Sequence, residues 1–452
     1  MTNQFTPEAV RAAVEKQADR IKSDLTELVS FNSVHAEEAS AEDNRKAAAW
    51  VVDALQSVGL EPTAHDTADG SVAITAHREP AEGKPTVLLY SHYDVVPAGD
   101  PEKWESDPFT LTERDGRWYG RGTADCKGNI AMHLAALRAV EELGGTGAGI
   151  TAVIEGSEEK GGVGLDTLLE EQPELFRADV ICIADVGNQA VGVPTLTSTL
   201  RGGGQVEVTV DTLRAPAHSG NFGGPAPDAV SALIRTLNSL RDDAGRTVID
   251  GTDTSQKWEG AQYDADAFRA DAGVLEGVEL LGTEEDTVSD LTWARPTITV
   301  TGFTSTPVAE AVNAVPATAS AKINLRVPPH MDAEELANAV ARHVENHTPW
   351  GAHVKAEVVE INAPFSTDPK GPFITKIGEA LAGAYGKNAP QLIGSGGSIP
   401  LTTKLQERFP DAEIALYGVE EPTTGIHSPN ESVDPTEIHN IAVAEASFLL
   451  GL

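Results

Sequence analysis

Six side chains able to bind a metal or move a proton stand where apolar runs give way to polar or glycine-rich sequence. Ile150-Thr151-Ala152-Val153-Ile154 runs into Glu155-Gly156-Ser157-Glu158-Glu159-Lys160-Gly161-Gly162, so two adjacent carboxylates follow an expected buried strand and precede a turn. Thr86-Val87-Leu88-Leu89-Tyr90 delivers Ser91-His92-Tyr93-Asp94. With a side-chain period of two, His92 and Asp94 face the same way, and a carboxylate so placed can fix an imidazole's ring and tautomer. Asp179-Val180-Ile181-Cys182-Ile183-Ala184 releases Asp185, the turn from Trp118 to Gly128 carries Asp125, and a loop after residues 413–419 carries His427. Taken singly, each has an ordinary explanation: Asp125 as a helix N-cap, the Glu pair and His427 as solvated loop residues. Taken together, two imidazoles and three carboxylates suit two zinc-like ions about 3.5–4 Å apart, each held by one His and one terminal carboxylate and sharing Asp125. A water bridging two such dications loses its proton near neutral pH. Glu158, not spent as a ligand, would accept that proton and pass it to a leaving amine.

Positioning these groups requires an open sheet whose strands end on one rim, since ligands in such folds gather beyond the carboxyl ends of the strands. The apolar segment 86–90 reads as a strand covered on both faces. Before it, Thr6-Pro7 opens a helix running to about Ser30, and a second helix covers about Glu42 to Val58 and stops at Gly59. Residues 71–76 read as a short strand. The turn at Asp125 leads into a helix with Ile130, Leu134, Leu137 and Val140 on one face. Further on the pattern changes: Val206, Val208 and Val210 alternate, as do Ile323, Leu325 and Val327, the mark of half-buried antiparallel strands. Amphipathic helices over 228–243 and 332–346 accompany them, the latter opened by a capping-box-like Asp332-x-x-Glu335. The expectation is an α/β catalytic domain in two parts, 1–195 and 363–452, with a small α+β domain inserted at 196–362.

Bulk properties narrow the function. A chain of 452 residues exceeds one ordinary core, consistent with two domains. The formal charge of −36, from 33 basic and 69 acidic residues, repels phosphate backbones and anionic membranes, so neither nucleic acid nor a membrane is an expected partner. Cys126 and Cys182 cannot make a disulfide framework and point to a reducing compartment. The opening residues lack a basic segment followed by an apolar one, and no apolar run approaches the roughly 20 residues that span a bilayer. A cytoplasmic protein is expected.

The joint occurrence of these segments in this order resembles the M20 metallopeptidases, among them carnosinase-like dipeptidases, carboxypeptidase G2, aminoacylases and succinyl-diaminopimelate desuccinylase. Ser91-His92-Tyr93-Asp94-Val95-Val96-Pro97 is similar to that family's His-x-Asp motif, residues 119–128 to the segment around its bridging Asp, and residues 155–162 to its Glu-Glu segment. The resemblance covers nearly the whole chain. It implies a mostly parallel-sheet zinc-hydrolase domain with an inserted lid and dimerisation domain, hence a homodimer. It also implies two divalent ions per subunit, zinc first, with manganese or cobalt as alternatives. His92, Asp125 and Asp185 would hold one ion and Asp125, Glu159 and His427 the other, with Asp94 orienting His92 and Glu158 as catalytic base. Ala217-His218-Ser219-Gly220 resembles the lid motif whose His reaches a partner's site in dimeric members and helps polarise the scissile carbonyl. Arg326 and the turn Gly394-Ser395-Gly396-Gly397-Ser398-Ile399-Pro400 resemble positions that hold the substrate's free carboxylate, as a guanidinium and a glycine turn can do, and Asn313 is a further candidate for that pocket. Many relatives carry a second acid where Cys126 stands. Here it is read as a small packing residue whose thiol, so near two metals, could add oxidation sensitivity.

The implied reaction is hydrolysis of the amide bond of short peptides, above all dipeptides with a free C-terminal carboxylate. The alternative within the same machinery is removal of an N-acyl group from an amino acid. A non-catalytic binding protein on this fold predicts loss of Glu158 or of a ligand, and both are present. A metal-storage role would favour a Cys-rich site over this His and carboxylate set.

Overall fold

Four parallel strands carry the chain ends singled out above. The computed structural model describes residues 5–397 and 399–452. They divide into two units, each with its own hydrophobic core: one takes the chain up to Ser198, Thr367–Ile393 and Leu401–Leu452, the other Thr199–Ser366 and Gly394–Pro400. The short segment from Gly394 to Pro400, which sequence reasoning left in the resumed catalytic part, thus groups with the second unit.

In the first unit the strands Gly149–Glu155, Thr86–His92, Val180–Ala184 and Glu413–Tyr417 lie side by side in that order, all parallel. Every residue of Gly149–Glu155 and of Val180–Ala184 is buried, which is why these segments are apolar throughout instead of alternating. Val72–Arg78 and Glu61–Asp66 extend the sheet antiparallel beyond Gly149–Glu155. Glu61–Asp66 went unread in the sequence because an exposed edge strand needs no apolar pattern.

The connection between Thr86–His92 and Gly149–Glu155 contains the helix Lys127–Glu142. It was expected to bury one face, yet Ile130, Ala131, His133, Ala135 and Ala136 are all buried, because Pro435–Leu450 and Ala18–Ser30 also pack on it and its alanines let them approach. The N-terminal helix is two, Pro7–Glu15 and Ala18–Ser30. The Gln17 amide donates to the Val14 carbonyl, three residues back, so the helical ladder closes there and restarts.

The second unit is an antiparallel sheet ordered Thr297–Thr304, Thr318–Val327, Gly202–Asp211, His353–Asn362. Val206, Val208, Val210, Ile323, Leu325 and Val327 face a core closed by the helices Ala229–Asn238 and Ala333–His347. Asp332 caps the latter by accepting from the Glu335 amide at 2.7 Å. The former stops short of residue 243: Ser239 Oγ donates to the Thr236 carbonyl, and Asp242 accepts from the Ala244 and Arg246 amides, making a turn.

Candidate metal centre

All six side chains belong to the first unit, His92 at a strand end and the others in the loops and short helical turn beyond the strands. His92 ends its strand and is fully buried. Its Nδ1 lies 3.1 Å from the Asp94 backbone carbonyl, which can only accept, so Nδ1 carries a proton and Nε2 is the nitrogen left to face a cation. That Nε2 faces Asp125 Oδ1 at 3.0 Å and Asp185 Oδ1 at 3.1 Å. The other oxygen of Asp125 lies 3.1 Å from His427 Nε2, and His427 Nε2 lies 3.1 Å from Glu159 Oε2. Asp125 therefore stands between two imidazole-and-carboxylate groups, one closed by Asp185 and the other by Glu159.

The loops are held by groups that do not face this cluster. The Asp94 carboxylate lies 3.4 Å from His92 Nδ1, beside the 3.1 Å contact of the Asp94 backbone carbonyl, so both groups of Asp94 stand against the ring. Asp94 Oδ1 and Oδ2 also accept from the Glu158 and Glu159 amides. Gly156 has to be glycine because a Cβ there would sit 2.1 Å from the Tyr93 hydroxyl oxygen. The Asp125 loop closes on the buried Glu431, which accepts from the amides of Gly122, Ala124 and Asp125 and pairs with the equally buried Arg121 at 2.6 Å. The Asp125–Cys126 peptide is cis. Cys126 donates its thiol proton to the Ala184 carbonyl at 3.0 Å, and burial pushes that thiol well up, so it packs as a neutral group.

Charge decides what this cluster can hold. Asp125, Glu159 and Asp185 bring three carboxylates together, with Glu158 close enough for the fields of Asp185 and Glu159 to act on it, and Glu420 is near both Asp125 and Asp185. Burial, then the Asp185 carboxylate, pushes Glu158 up to about 9. Burial raises Asp185 to about 6 although His92 opposes it. Hydrogen bonds to Asp125 and Glu159 push His427 up to about 10. Glu159 Oε1 is buried with no partner. So much buried negative charge, with an orphaned oxygen and two imidazole nitrogens aimed inward, fits divalent cations: hard carboxylate and borderline imidazole donors are the set that zinc-type ions take. His92 and Asp185 with Asp125, and His427 and Glu159 with Asp125, are the residues that would hold them.

The remaining candidates lie in the second unit. His218 is exposed at the end of a two-residue strand paired with Ala314–Val315, its Nδ1 accepting from the Gly220 amide. Asn313, also exposed, accepts from the Ser219 amide through its carbonyl, so these two candidates are neighbours. Arg326 lies on Thr318–Val327 opposite Gly203. Gly396 and Gly397 sit in the turn after Ser395, and Ser398 lies outside the described residues.

Sequence reasoning missed Arg201. Its amide donates to the Ser395 carbonyl, its Nη1 to Thr297 Oγ1 at 3.2 Å, and its Nε is buried without a partner. A Cβ on Gly396 would meet Arg201 Nη2 at 3.0 Å, so glycine lets the turn approach the guanidinium. Burial and the nearby Arg326 charge pull Arg201 down to about 10, and no described carboxylate pairs with either arginine. The signal available in sequence was Arg201 at the start of a glycine-rich strand, too common a pattern to stand out.

A parallel-sheet domain whose strand ends gather imidazoles and carboxylates around a spare Glu is the framework of a metal-dependent hydrolase. Residues 88–450 match Peptidase family M20/M25/M40. The chain is 53% identical over 451 residues to a cysteinylglycine-S-conjugate dipeptidase of Corynebacterium striatum, covering 100% of this chain and 99% of that protein. It is 28% identical to the Beta-Ala-His dipeptidase of Homo sapiens over 79% of this chain and 72% of that one. In fold it is similar to human carnosine dipeptidase 1, with a TM-score of 0.78, 24% identity and 99% of each chain covered. The chain belongs to peptidase family M20/M25/M40 and is a metallopeptidase that uses divalent metal.

Proposed function

We propose that this enzyme hydrolyses dipeptides bearing a free C-terminal carboxylate, S-substituted cysteinylglycine among them, with two zinc ions per chain held by His92, Asp125, Asp185, Glu159 and His427. The observation that carries this reading is the shared position of Asp125, 3.0 Å from one imidazole and 3.1 Å from the other, with the uncommitted Glu158 beside the cluster. The relatives' names supply the dipeptide class.

The chemistry a cation pair supplies there is Lewis acidity toward a carbonyl oxygen and a lowered pKa of water. Everything else falls to side chains of this chain. Glu158 receives the proton of the attacking water and delivers it to the leaving amine nitrogen, a task open to it because the carboxylates of Asp125, Asp185 and Glu159 face the imidazoles while its own does not. Asp94, through the Glu158 and Glu159 amides, fixes where that carboxylate stands. Arg201 and Arg326, joined by the Gly396-Gly397 turn and Asn313, grip the substrate carboxylate, and His218 donates to the oxygen on which negative charge develops. The protein works in the cytoplasm as a homodimer through its second unit. No helix among the described residues is long and apolar enough to cross a membrane.

The test is to strip the metal, restore zinc or manganese, and offer dipeptides beside N-acyl amino acids, with Glu158→Ala as control. Metal-dependent turnover of dipeptides that vanishes in the control supports the proposal. Turnover of N-acyl amino acids alone moves the substrate class to deacylation. A trans role of His218 predicts that mixing His218→Ala with Glu158→Ala chains restores activity in heterodimers, and no restoration in samples shown to exchange subunits rejects it.

A further inference from the structure

We propose that Asp250, His343 and His347 of the second unit bind one further divalent cation of zinc type, a site independent of the cluster in the first unit. His343 and His347 stand four residues apart on the Ala333–His347 helix, the spacing that places two side chains on one face, and their rings lie 4.1 Å apart. Asp250, in the loop that follows the buried Ile249, reaches both rings: Oδ1 is 3.1 Å from His343 Nδ1, and Oδ2 is 2.9 Å from His347 Nε2. These nitrogen-to-oxygen spacings match the 3.0 and 3.1 Å of the His92, Asp125 and His427 cluster. A ligand atom from each of the three residues falls within 4.8 Å of the other two.

The His343 tautomer is the one a bound cation needs. Ser239 Oγ donates its own proton to the Thr236 carbonyl at 2.6 Å, so toward His343 Nε2, 3.1 Å away, it can only accept. The His343 proton is thereby fixed on Nε2, and the Nδ1 lone pair faces the Asp250 carboxylate. A metal-bound imidazole has this arrangement, one nitrogen on the ion and the other donating to a held oxygen. Both rings also belong to the last turns of their helix, where the backbone dipole favours positive charge. His343 is buried, whereas His347 and Asp250 are partly open to solvent, which leaves room for water as a fourth ligand. The Asp250 amide also donates to His343 Nδ1 at 3.1 Å, so a cation has to displace that hydrogen bond and binds more weakly than in the first unit. Bound, it ties the Asp250 loop to the helix end.

The experiment is equilibrium dialysis of the full chain against micromolar zinc with elemental analysis, comparing wild type, His347→Ala and Asp250→Asn. Both substituted side chains are half-exposed, and circular dichroism checks that each variant folds; His347→Gln replaces any that does not. The expected result is one zinc fewer per chain in each variant, with dipeptide hydrolysis within twofold of wild type. Equal zinc content in wild type and variants overturns the proposal, as does a difference seen only at millimolar zinc, which would mark an adventitious ion. Because the reading is a difference, an error about the first unit's cluster changes the total and leaves this comparison intact.

Discussion

The two oxygens of Asp94 each accept a backbone amide from the adjacent Glu158 and Glu159, both at 3.1 Å. One buried carboxylate thus sets the positions of the residue read as proton carrier and of a residue read as ligand. Asp94→Asn keeps the shape but replaces one accepting oxygen with an NH2 donor facing an amide N–H. The expected loss is about 10- to 100-fold in kcat, the range for residues that orient a metal site's ligands. Parallel zinc analysis separates causes: a kcat loss with zinc retained assigns the effect to Glu158, and a matching loss of zinc assigns it to Glu159.

Glu158→Gln removes the proton acceptor while conserving volume and the backbone bond to Asp94. Hydrolysis is expected to fall by about 10²- to 10⁴-fold, the contribution of a positioned acid-base group, with metal content unchanged. A variant that retains more than a tenth of wild-type turnover would show that the proton goes elsewhere.

How much of this was legible beforehand depends on what each residue's role needs. His92, Glu158, Glu159 and Asp185 follow apolar runs, and a run buried on both faces announces both the parallel strand and the rim where its last side chain emerges. The even alternation of Val206, Val208 and Val210 likewise announced a strand covered on one side only. Glu431 and Arg121 were opaque because a buried ion pair between residues 310 positions apart leaves no periodic trace. Arg201 was opaque for the same reason, since its burial depends on a turn nearly two hundred residues later. Strand alternation puts the Asp94 carboxylate beside His92, 3.4 Å from Nδ1, but the nearer 3.1 Å contact of the Asp94 backbone carbonyl is one that no side-chain pattern reports.

Metal uptake should release protons. In the metal-free protein the hydrogen bonds to Asp125 and Glu159 hold His427 protonated up to about pH 10, so at pH 7.5 an incoming cation must displace that proton. Calorimetric titration with zinc in two buffers of different ionisation enthalpy is expected to show release of at least one proton per chain, falling when His427 is replaced by Ala. The sign for stability follows from the same shift. A raised folded-state value stabilises the metal-free protein fully below the unfolded value near 6.5, and this contribution fades as pH rises toward 10. The Tm of metal-free protein should therefore decline across pH 7–10, while that of His427→Ala declines less.

The last prediction concerns two like charges without an anion. Arg201 and Arg326 are close enough for one to lower the other, and burial costs Arg201 further, yet no described carboxylate pairs with either. A half-buried guanidinium without an anion destabilises the fold unless a ligand supplies the counter-charge, and a substrate carboxylate is the counter-charge a dipeptide carries. Arg201→Ala should raise the KM for a dipeptide by about 10- to 100-fold, the worth of one to two charge-assisted hydrogen bonds, with kcat little changed. The same substitution should leave the KM of the corresponding dipeptide amide within twofold, because that substrate has no carboxylate to lose. Since removing the charge relieves repulsion with Arg326, the variant's substrate-free Tm should equal or exceed that of wild type. An equal rise in KM for acid and amide, or a fall in Tm, would place Arg201 in the packing around Thr297 and the Gly396 turn and not on the substrate.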